Sequence, residues 1–141
     1  DSTALHDAVD DGDVEKVVQL LEGGAGLELR DGEGYTPLLL ACGAEEEEVC
    51  RVLLDAGADA VAVDVDGRTA LHWAAVLGNV RIGRGVVGSG CDAGAVTAGG
   101  ETALHLSSEN GHVLMCVWLM RAGCDAGAVN VSVWRLCLAR V

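Results

Sequence analysis

The stretch Gly-Arg-Thr-Ala-Leu-His-Trp-Ala-Ala at residues 67–75 decides the fold, because its central tetrad recurs along the chain. Thr-Ala-Leu-His stands at residues 3–6, 69–72 and 102–105, and Thr-Pro-Leu-Leu stands at the matching residues 36–39. The four threonines are evenly spaced, with no insertion or deletion between them. A fixed period of roughly 20–50 residues indicates an array of one supersecondary unit, in which each unit packs only on its neighbours.

The sequence of the second repeat predicts a turn followed by two helices. Residues 31–34, Asp-Gly-Glu-Gly, are typical turn residues. Thr36 suits a helix N-cap and Pro37 suits the first helical position, so a short helix of about two turns follows. Glu45–Glu48 are expected to open a second helix, where carboxylates meet the positive end of the helix dipole. Gly57 is expected to end that helix.

These residues resemble the ankyrin-repeat family, for which a 33-residue period and a Thr-Pro-Leu-His-x-Ala signature are typical. Residues 69–74 keep this signature most fully, with alanine in place of the proline. The resemblance covers about residues 1–130. It implies an all-α solenoid of stacked helix-turn-helix units with β-turn or hairpin fingers. We expect a single domain over residues 1–141, with repeats at about 1–30, 31–63, 64–96 and 97–129, and a partial repeat or C-terminal cap at 130–141.

Two departures from the repeat pattern carry structural expectations. Glu45 stands where the other repeats have a glycine at the end of the first helix, so the second repeat is expected to make that turn without glycine. The predicted helix at residues 81–88 contains Gly83, Gly85 and Gly88. Each internal glycine costs about 1 kcal/mol relative to alanine, so this helix is expected to be the least stable of the array.

Charge is divided unevenly along the chain, which has a formal net charge of −13. Residues 1–70 carry eighteen acidic and four basic side chains, whereas residues 71–141 carry four and five. A nucleic-acid partner is not expected, because binding phosphates needs a basic stripe. No membrane association is expected either, since the longest apolar run has eight residues, at 113–120, against about 20 for a bilayer span. The acidic half favours a basic protein partner; the alternative is that it only confers solubility.

The six cysteines favour buried thiols over disulfides or a metal site. No Cys-x-x-Cys pair and no zinc-type spacing is present. Cys91 and Cys124 share a register position, but neighbouring repeats place such residues roughly 8–10 Å apart, beyond the ~7 Å limit for a disulfide. Small buried thiols are typical of a reducing compartment, so we expect an intracellular protein, cytoplasmic or nuclear.

No catalytic constellation and no cofactor site is predicted. His6, His72 and His105 recur in register, which suggests imidazoles that bond the backbone or the nearby threonine hydroxyl, because a catalytic site occurs once whereas these occur in several repeats. Glu45–Glu48 are expected to be a solvated helix start. The competing hypothesis is a metal- or ligand-binding, or enzymatic, module that uses the histidine column or these four glutamates.

The resemblance implies a concave groove, formed by the turn fingers and the first helices, that binds partner proteins. Tyr35 and Arg68 are the strongest anchor candidates, since Tyr, Trp and Arg dominate interface hot spots. Val76 and Leu77 are expected to form an exposed apolar pair at the groove centre. The predicted partner-binding residues are Glu33, Tyr35, Asp66, Arg68, Val76, Leu77, Glu101, Glu109, Asn110 and Trp134.

The three tryptophans have different predicted roles. Trp73 shares its register position with Asp7, Leu40 and Leu106, which favours packing between repeats over recognition. Trp118 lies in the apolar run 113–120 and is assigned to the core. Trp134 is assigned either to a partner anchor or to a hydrophobic lid over the last complete repeat.

The sequence thus predicts a non-enzymatic protein-binding scaffold. Apart from the metal-binding alternative, the chain could serve as a structural spacer within a larger ankyrin protein. A monomer is expected, although the sequence does not fix the oligomeric state.

Overall fold

The computed structural model describes residues 3–123, and these residues form eight α-helices. They are α1 (Ala4–Asp10), α2 (Val14–Glu22), α3 (Pro37–Gly43), α4 (Glu47–Asp55), α5 (Ala70–Leu77), α6 (Val80–Gly88), α7 (Ala103–Glu109) and α8 (Val113–Arg121). Within residues 3–123 the only β pairing is a single antiparallel bridge between Val96 and Thr102. The predicted all-α fold is confirmed. The predicted partial repeat at 130–141 lies outside the described residues.

The helices stack in two rows. The first-helix row is α1, α3, α5 and α7, the second-helix row is α2, α4, α6 and α8, and each helix packs on its neighbours within and across the rows. The core between the rows repeats with the period of the sequence. Leu5, Leu38, Leu71 and Leu104 hold the same register position in successive repeats and are each at most 2% exposed. Stacking of equivalent positions therefore buries one continuous core rather than four separate ones.

Three of the four first helices begin with the same reciprocal cap. The hydroxyl of Thr69 accepts a hydrogen bond from the amide of His72, and the His72 imidazole accepts one from the amide of Thr69. Thr3 with His6 and Thr102 with His105 repeat this arrangement. It is a capping box with histidine in the place usually held by Glu or Gln. In α3 the hydroxyl of Thr36 caps the Leu39 amide, but Leu39 has no group to return the bond.

Glu45 makes the turn between α3 and α4 in the left-handed region, with φ of 56°. It is the only non-glycine residue with positive φ in the described part of the chain. The expected turn without glycine is confirmed. The prediction that Glu45–Glu48 open the helix was wrong at its start, because α4 begins at Glu47. Residues 44–46 are needed to reverse the chain, so Glu45 lies in the turn and Glu46 is the N-cap.

Replacing Glu45 with glycine is expected to raise the free energy of unfolding by about 1 kcal/mol, because a side chain in the left-handed region costs roughly 1–2 kcal/mol. Urea unfolding followed by circular dichroism measures the change. Glu48→Gly is the matched control: Glu48 is exposed in the first turn of α4, where glycine should cost up to about 1 kcal/mol. Opposite signs are expected for the two variants, and a loss of stability in both would contradict the strain at Glu45.

The glycine-rich α6 forms a complete helix of nine residues, as long as α2, α4 and α8. Its Gly83 is buried, and the ring of Trp118 from α8 lies directly over it. A close approach of the two helices therefore explains one of the three glycines. That α6 is the least stable helix stays a prediction.

Candidate functional site

The connections that precede α3, α5 and α7 end in tight five-residue fingers, at residues 31–35, 64–68 and 97–101. In the first finger the Asp31 carboxylate accepts hydrogen bonds from the amides of Glu33 and Tyr35, at 2.9 and 3.0 Å. The Asp64 carboxylate accepts the corresponding bonds from Asp66 and Arg68. This local bonding of an aspartate to amides further along the chain is why the sequence folds into a turn here. It fixes Tyr35 and Arg68 at equivalent places in consecutive repeats.

Two of the imidazoles, those of His6 and His72, connect their repeat to the finger of the next. His6 Nε2 lies 2.9 Å from the Tyr35 carbonyl oxygen, and His72 Nε2 lies 3.0 Å from that of Ala95 and 3.2 Å from that of Glu101. Since Nδ1 accepts from the threonine amide, Nε2 carries the proton and donates. Burial lowers the pKa of His72 below its ordinary 6.5, which keeps the ring neutral. The interpretation of these histidines as hydrogen-bonded structural groups is confirmed.

The glutamates at 45–48 diverge rather than converge. The Glu46 carboxylate lies beside Gly12 of the preceding repeat. Glu47 faces the following repeat, where it accepts from Asn79 Nδ2 at 3.2 Å and pairs with Arg81 at 3.5 Å. Within residues 3–123 no group of three or more His, Cys, Asp or Glu side chains is placed to hold a metal ion. Neighbouring carboxylates that face different repeats leave the metal-site hypothesis without support in this segment.

An apolar cleft of about 280 Å³ opens between α3 and α5. We call it the aromatic cleft, and it is lined by Tyr35, Leu39, Leu40, Gly43, Ala44 and Trp73. The rings of Tyr35 and Trp73 meet edge to face, with centroids 6.1 Å apart and planes at 71°. Such pairs are worth about 0.5–1.5 kcal/mol beyond the area they bury. The two repeats thus hold each other's aromatic ring in place at the cleft.

Polar groups fix the Trp73 ring on its other sides. Its indole Nε1 donates to the Asp64 carboxylate at 3.2 Å, and the Arg68 guanidinium carbon lies 5.4 Å from the ring centroid. The latter distance is within the range of a cation–π interaction. Trp73 is therefore a positioned, half-buried side chain at the mouth of a cleft.

Acidic side chains lie near Tyr35 at the cleft. Desolvation is the largest cause that raises the pKa of Tyr35, and the carboxylates of Asp64, Glu33 and Asp66 raise it further, while Arg68 lowers it. Of these carboxylates, those of Glu33 and Asp66 are exposed at the rim, whereas Asp64 is only 5% exposed and accepts from the Trp73 indole. The cleft therefore combines an apolar floor with an acidic edge.

Comparison with protein-family models matches nearly the whole chain. A model of three ankyrin repeats matches residues 5–97, and a model of one ankyrin repeat matches residues 99–131. This chain belongs to the ankyrin-repeat family. A comparison with curated proteins found no match. Ankyrin repeats are generally protein–protein interaction modules and typically not enzymes.

Two of the predicted anchors of this ankyrin array lie at one place. Tyr35 lines the aromatic cleft and Arg68 packs over its Trp73, with Glu33 and Asp66 near enough to affect the pKa of Tyr35. Trp73 itself was assigned to packing, and that assignment was incomplete, because the ring packs and also lines the cleft. The position of Trp73 in the repeat could have indicated this role, because Trp73 directly follows His72, which donates to a carbonyl of the next finger.

The other predicted site residues lie elsewhere. Val76 and Leu77 are half-buried rather than exposed, and the Val76 side chain packs against the core. The Val76 carbonyl accepts from His112 Nε2 at 2.9 Å. Glu101 is half-buried, whereas Glu109 and Asn110 are exposed at the end of α7. None of these residues lines the aromatic cleft. Trp134 lies outside the described residues.

The four cysteines in the described part of the chain, Cys42, Cys50, Cys91 and Cys116, are buried and form no disulfide. The Sγ atoms of Cys42 and Cys50 are 3.5 Å apart, a hydrogen-bond contact and not a covalent bond. The contact with Cys50 raises the pKa of the Cys42 thiol well above its ordinary value, and burial adds to the effect. Burial raises the pKa of Cys91 as well. The interpretation of buried thiols is confirmed for these four, while Cys124 and Cys137 lie outside the described residues.

Among residues 3–123, no helix has both the length and the apolar character needed to cross a bilayer. The longest helices in this part of the chain have nine residues, about half of what a span requires.

Proposed function

We propose that this ankyrin array is a non-enzymatic scaffold that binds a basic partner protein on the concave face formed by its fingers and first helices, with the aromatic cleft as the anchor site. The observation that carries the proposal is the Tyr35–Trp73 pair, which lines an apolar cleft under an acidic rim. Interface hot spots are enriched in Trp, Tyr and Arg, and three such residues meet here.

The chemistry of the cleft specifies its occupant. A space of about 280 Å³ with apolar walls suits one large apolar side chain of the partner. The exposed carboxylates of Glu33 and Asp66 favour Lys or Arg beside that side chain, since complementary charge steers encounter and rejects acidic competitors. In α1, the exposed Asp7 holds the register position that Leu40 of the cleft holds in α3, which extends the acidic rim towards the N-terminus.

An intracellular location is part of the proposal. Four buried thiols that form no disulfide are compatible with a reducing compartment, in which disulfides do not persist.

Affinity capture with the double variant Tyr35→Ala/Arg68→Ala tests the anchor site. We expect partner recovery to fall at least about tenfold, since two hot-spot truncations of about 1 kcal/mol or more each exceed the roughly 1.4 kcal/mol of one decade. Mass spectrometry then identifies the captured proteins, and their sequences give their net charge. The matched control is Lys16→Ala/Leu29→Ala, which also removes one cationic and one large exposed apolar side chain, neither of which lines the aromatic cleft.

Equal recovery of every partner by both double variants would remove the aromatic cleft as the anchor site. Recovery of mainly acidic partners, lost with Tyr35→Ala/Arg68→Ala, would keep the site and contradict the basic partner.

A further inference from the structure

The second-helix row presents one continuous outward face. Positions i, i+3, i+4 and i+7 of a helix point to the same side. In each of the four second helices, the four residues at these positions are equivalent by the repeat register. We call the set the second-helix face; only Val18, Val52 and Trp118 in it are half-buried, and the others are exposed. Its members are Glu15, Val18, Gln19 and Glu22 of α2, Glu48, Arg51, Val52 and Asp55 of α4, Arg81, Arg84, Gly85 and Gly88 of α6, and Leu114, Val117, Trp118 and Arg121 of α8.

The two ends of this face carry opposite charge. The α2 and α4 half has four carboxylates and one guanidinium, a formal −3, whereas the α6 and α8 half has three guanidinium groups and no carboxylate, a formal +3. Arg81 pairs with Glu47, but Arg84 and Arg121 make no ion pair within residues 3–123. The face is therefore a dipolar surface whose halves are complementary to each other.

The basic half also carries an apolar patch. Leu114 is 80% exposed and Val117 is 37% exposed, and the matching position of Leu114 is held by Glu15, Glu48 and Arg81 in the other repeats. With Trp118 they border a cleft of about 310 Å³ between α6 and α8, flanked by Arg84 and Arg121. An apolar patch with a polar rim is typical of an interaction surface.

We propose that a second copy of this chain covers the second-helix face, related by a two-fold axis midway between α4 and α6. This symmetry places α2 of one copy opposite α8 of the other, and α4 opposite α6. Each negative half then meets a positive half, and the contact is made twice, as in any isologous interface. Leu114, Val117 and Trp118 are buried against the partner's α2, where Val18 is half-buried and supplies an apolar surface.

The dimer leaves the aromatic cleft free, because that cleft lies between α3 and α5 of the first-helix row. One assembly would thus carry two clefts facing away from each other, so a partner with two basic segments would gain from the increased effective concentration. The dimer itself does not depend on what binds the cleft.

Sedimentation equilibrium of the full chain tests the proposal over roughly 1–100 μM, the range that suits a modest interface. We expect a monomer–dimer equilibrium that weakens with added salt, since exposed charges are screened. Leu114→Asp is expected to raise the dimer dissociation constant at least tenfold. Val65→Asp is the matched control, because Val65 is 77% exposed but lies in a finger, and it should leave the constant unchanged.

A charge exchange tests the two-fold arrangement. Arg84→Glu/Arg121→Glu and Glu15→Arg/Glu48→Arg should each be monomeric alone, and an equimolar mixture should recover the dimer. Growth beyond two chains, or a dimer that persists in Leu114→Asp, would overturn the proposal.

A monomer at every concentration would overturn it too, and two further measurements would then assign the face. Binding of that monomer to phosphatidylserine vesicles would show that the second-helix face binds an anionic lipid surface. A fall in Tm with Leu114→Asp but not with Val65→Asp would show that residues 124–141 of the same chain cover the second-helix face.

Discussion

Replacing His72 with alanine is expected to lower the free energy of unfolding by about 3 kcal/mol. His72 is 1% exposed, its Nδ1 accepts from the Thr69 amide at 3.0 Å, and its Nε2 donates to the carbonyls of Ala95 and Glu101. The substitution removes these bonds and leaves a cavity, and each buried group that loses its partner costs about 1–3 kcal/mol. Urea unfolding followed by far-ultraviolet circular dichroism measures the loss.

His112→Ala is the control for this prediction. His112 is half-buried and bonds a single carbonyl, that of Val76, so its loss should cost about 1 kcal/mol. The pH dependence gives a second measurement. Because burial lowers the pKa of His72 in the folded state, the unfolded chain binds protons more readily, and stability should fall as pH decreases below about 6.5. That fall should be shallower in His72→Ala; an unchanged slope, or equal losses in both variants, would contradict the role given to His72.

Replacing Gly83 with alanine is expected to lower the free energy of unfolding by about 2 kcal/mol, although alanine is the better helix former. An added Cβ would lie 2.9 Å from Trp118 Cζ3 and 3.1 Å from Met115 Cε. To relieve this contact the rigid indole must rotate or α6 and α8 must separate, and overpacking of this kind costs about 1–3 kcal/mol. Thermal unfolding measures the stability, and tryptophan fluorescence in a Trp73→Phe/Trp134→Phe background reports the displacement of the Trp118 ring.

Gly85→Ala is the matched control in the same helix. A Cβ there meets only Leu54 Cδ1 at 3.4 Å, an ordinary contact, so the helix propensity of alanine should raise stability by about 1 kcal/mol. The two variants should therefore change stability in opposite directions. Stabilisation by both would show that Trp118 does not require a glycine at residue 83.

The fold was predictable because the repeat period determines which positions stack, and stacking determines which are buried. The same register predicted the unusual turn at Glu45. The register did not predict that α4 begins only at Glu47. The start of this helix depends on the backbone geometry of the turn, and a run of four identical glutamates gives no sign of where the turn ends. Nor could it explain Gly83, whose neighbour Trp118 lies in the following repeat.

The candidate site was predictable only in part, for a related reason. Tyr35 and Arg68 stand at finger positions that vary between repeats, and variation marks freedom from packing. Trp73 belongs to a mostly apolar column, so the sequence favours packing, whereas the structure leaves its ring half-buried at the cleft. The prediction that Val76 is exposed was wrong, because its side chain packs against the core that neighbouring repeats share.

Leu39 has a consequence for how the array would respond to a side chain bound in the aromatic cleft. Where the first and third repeats have a histidine that ties down the next finger, the second repeat has this leucine, and its side chain lines the aromatic cleft instead. The junction between the second and third repeats therefore relies on packing and on solvent-accessible polar contacts such as the Arg81–Glu47 pair. A side chain bound in the cleft would bridge this junction from both sides. Cooperativity in a repeat array depends on nearest-neighbour coupling, so we expect such binding to strengthen the coupling between the second and third repeats.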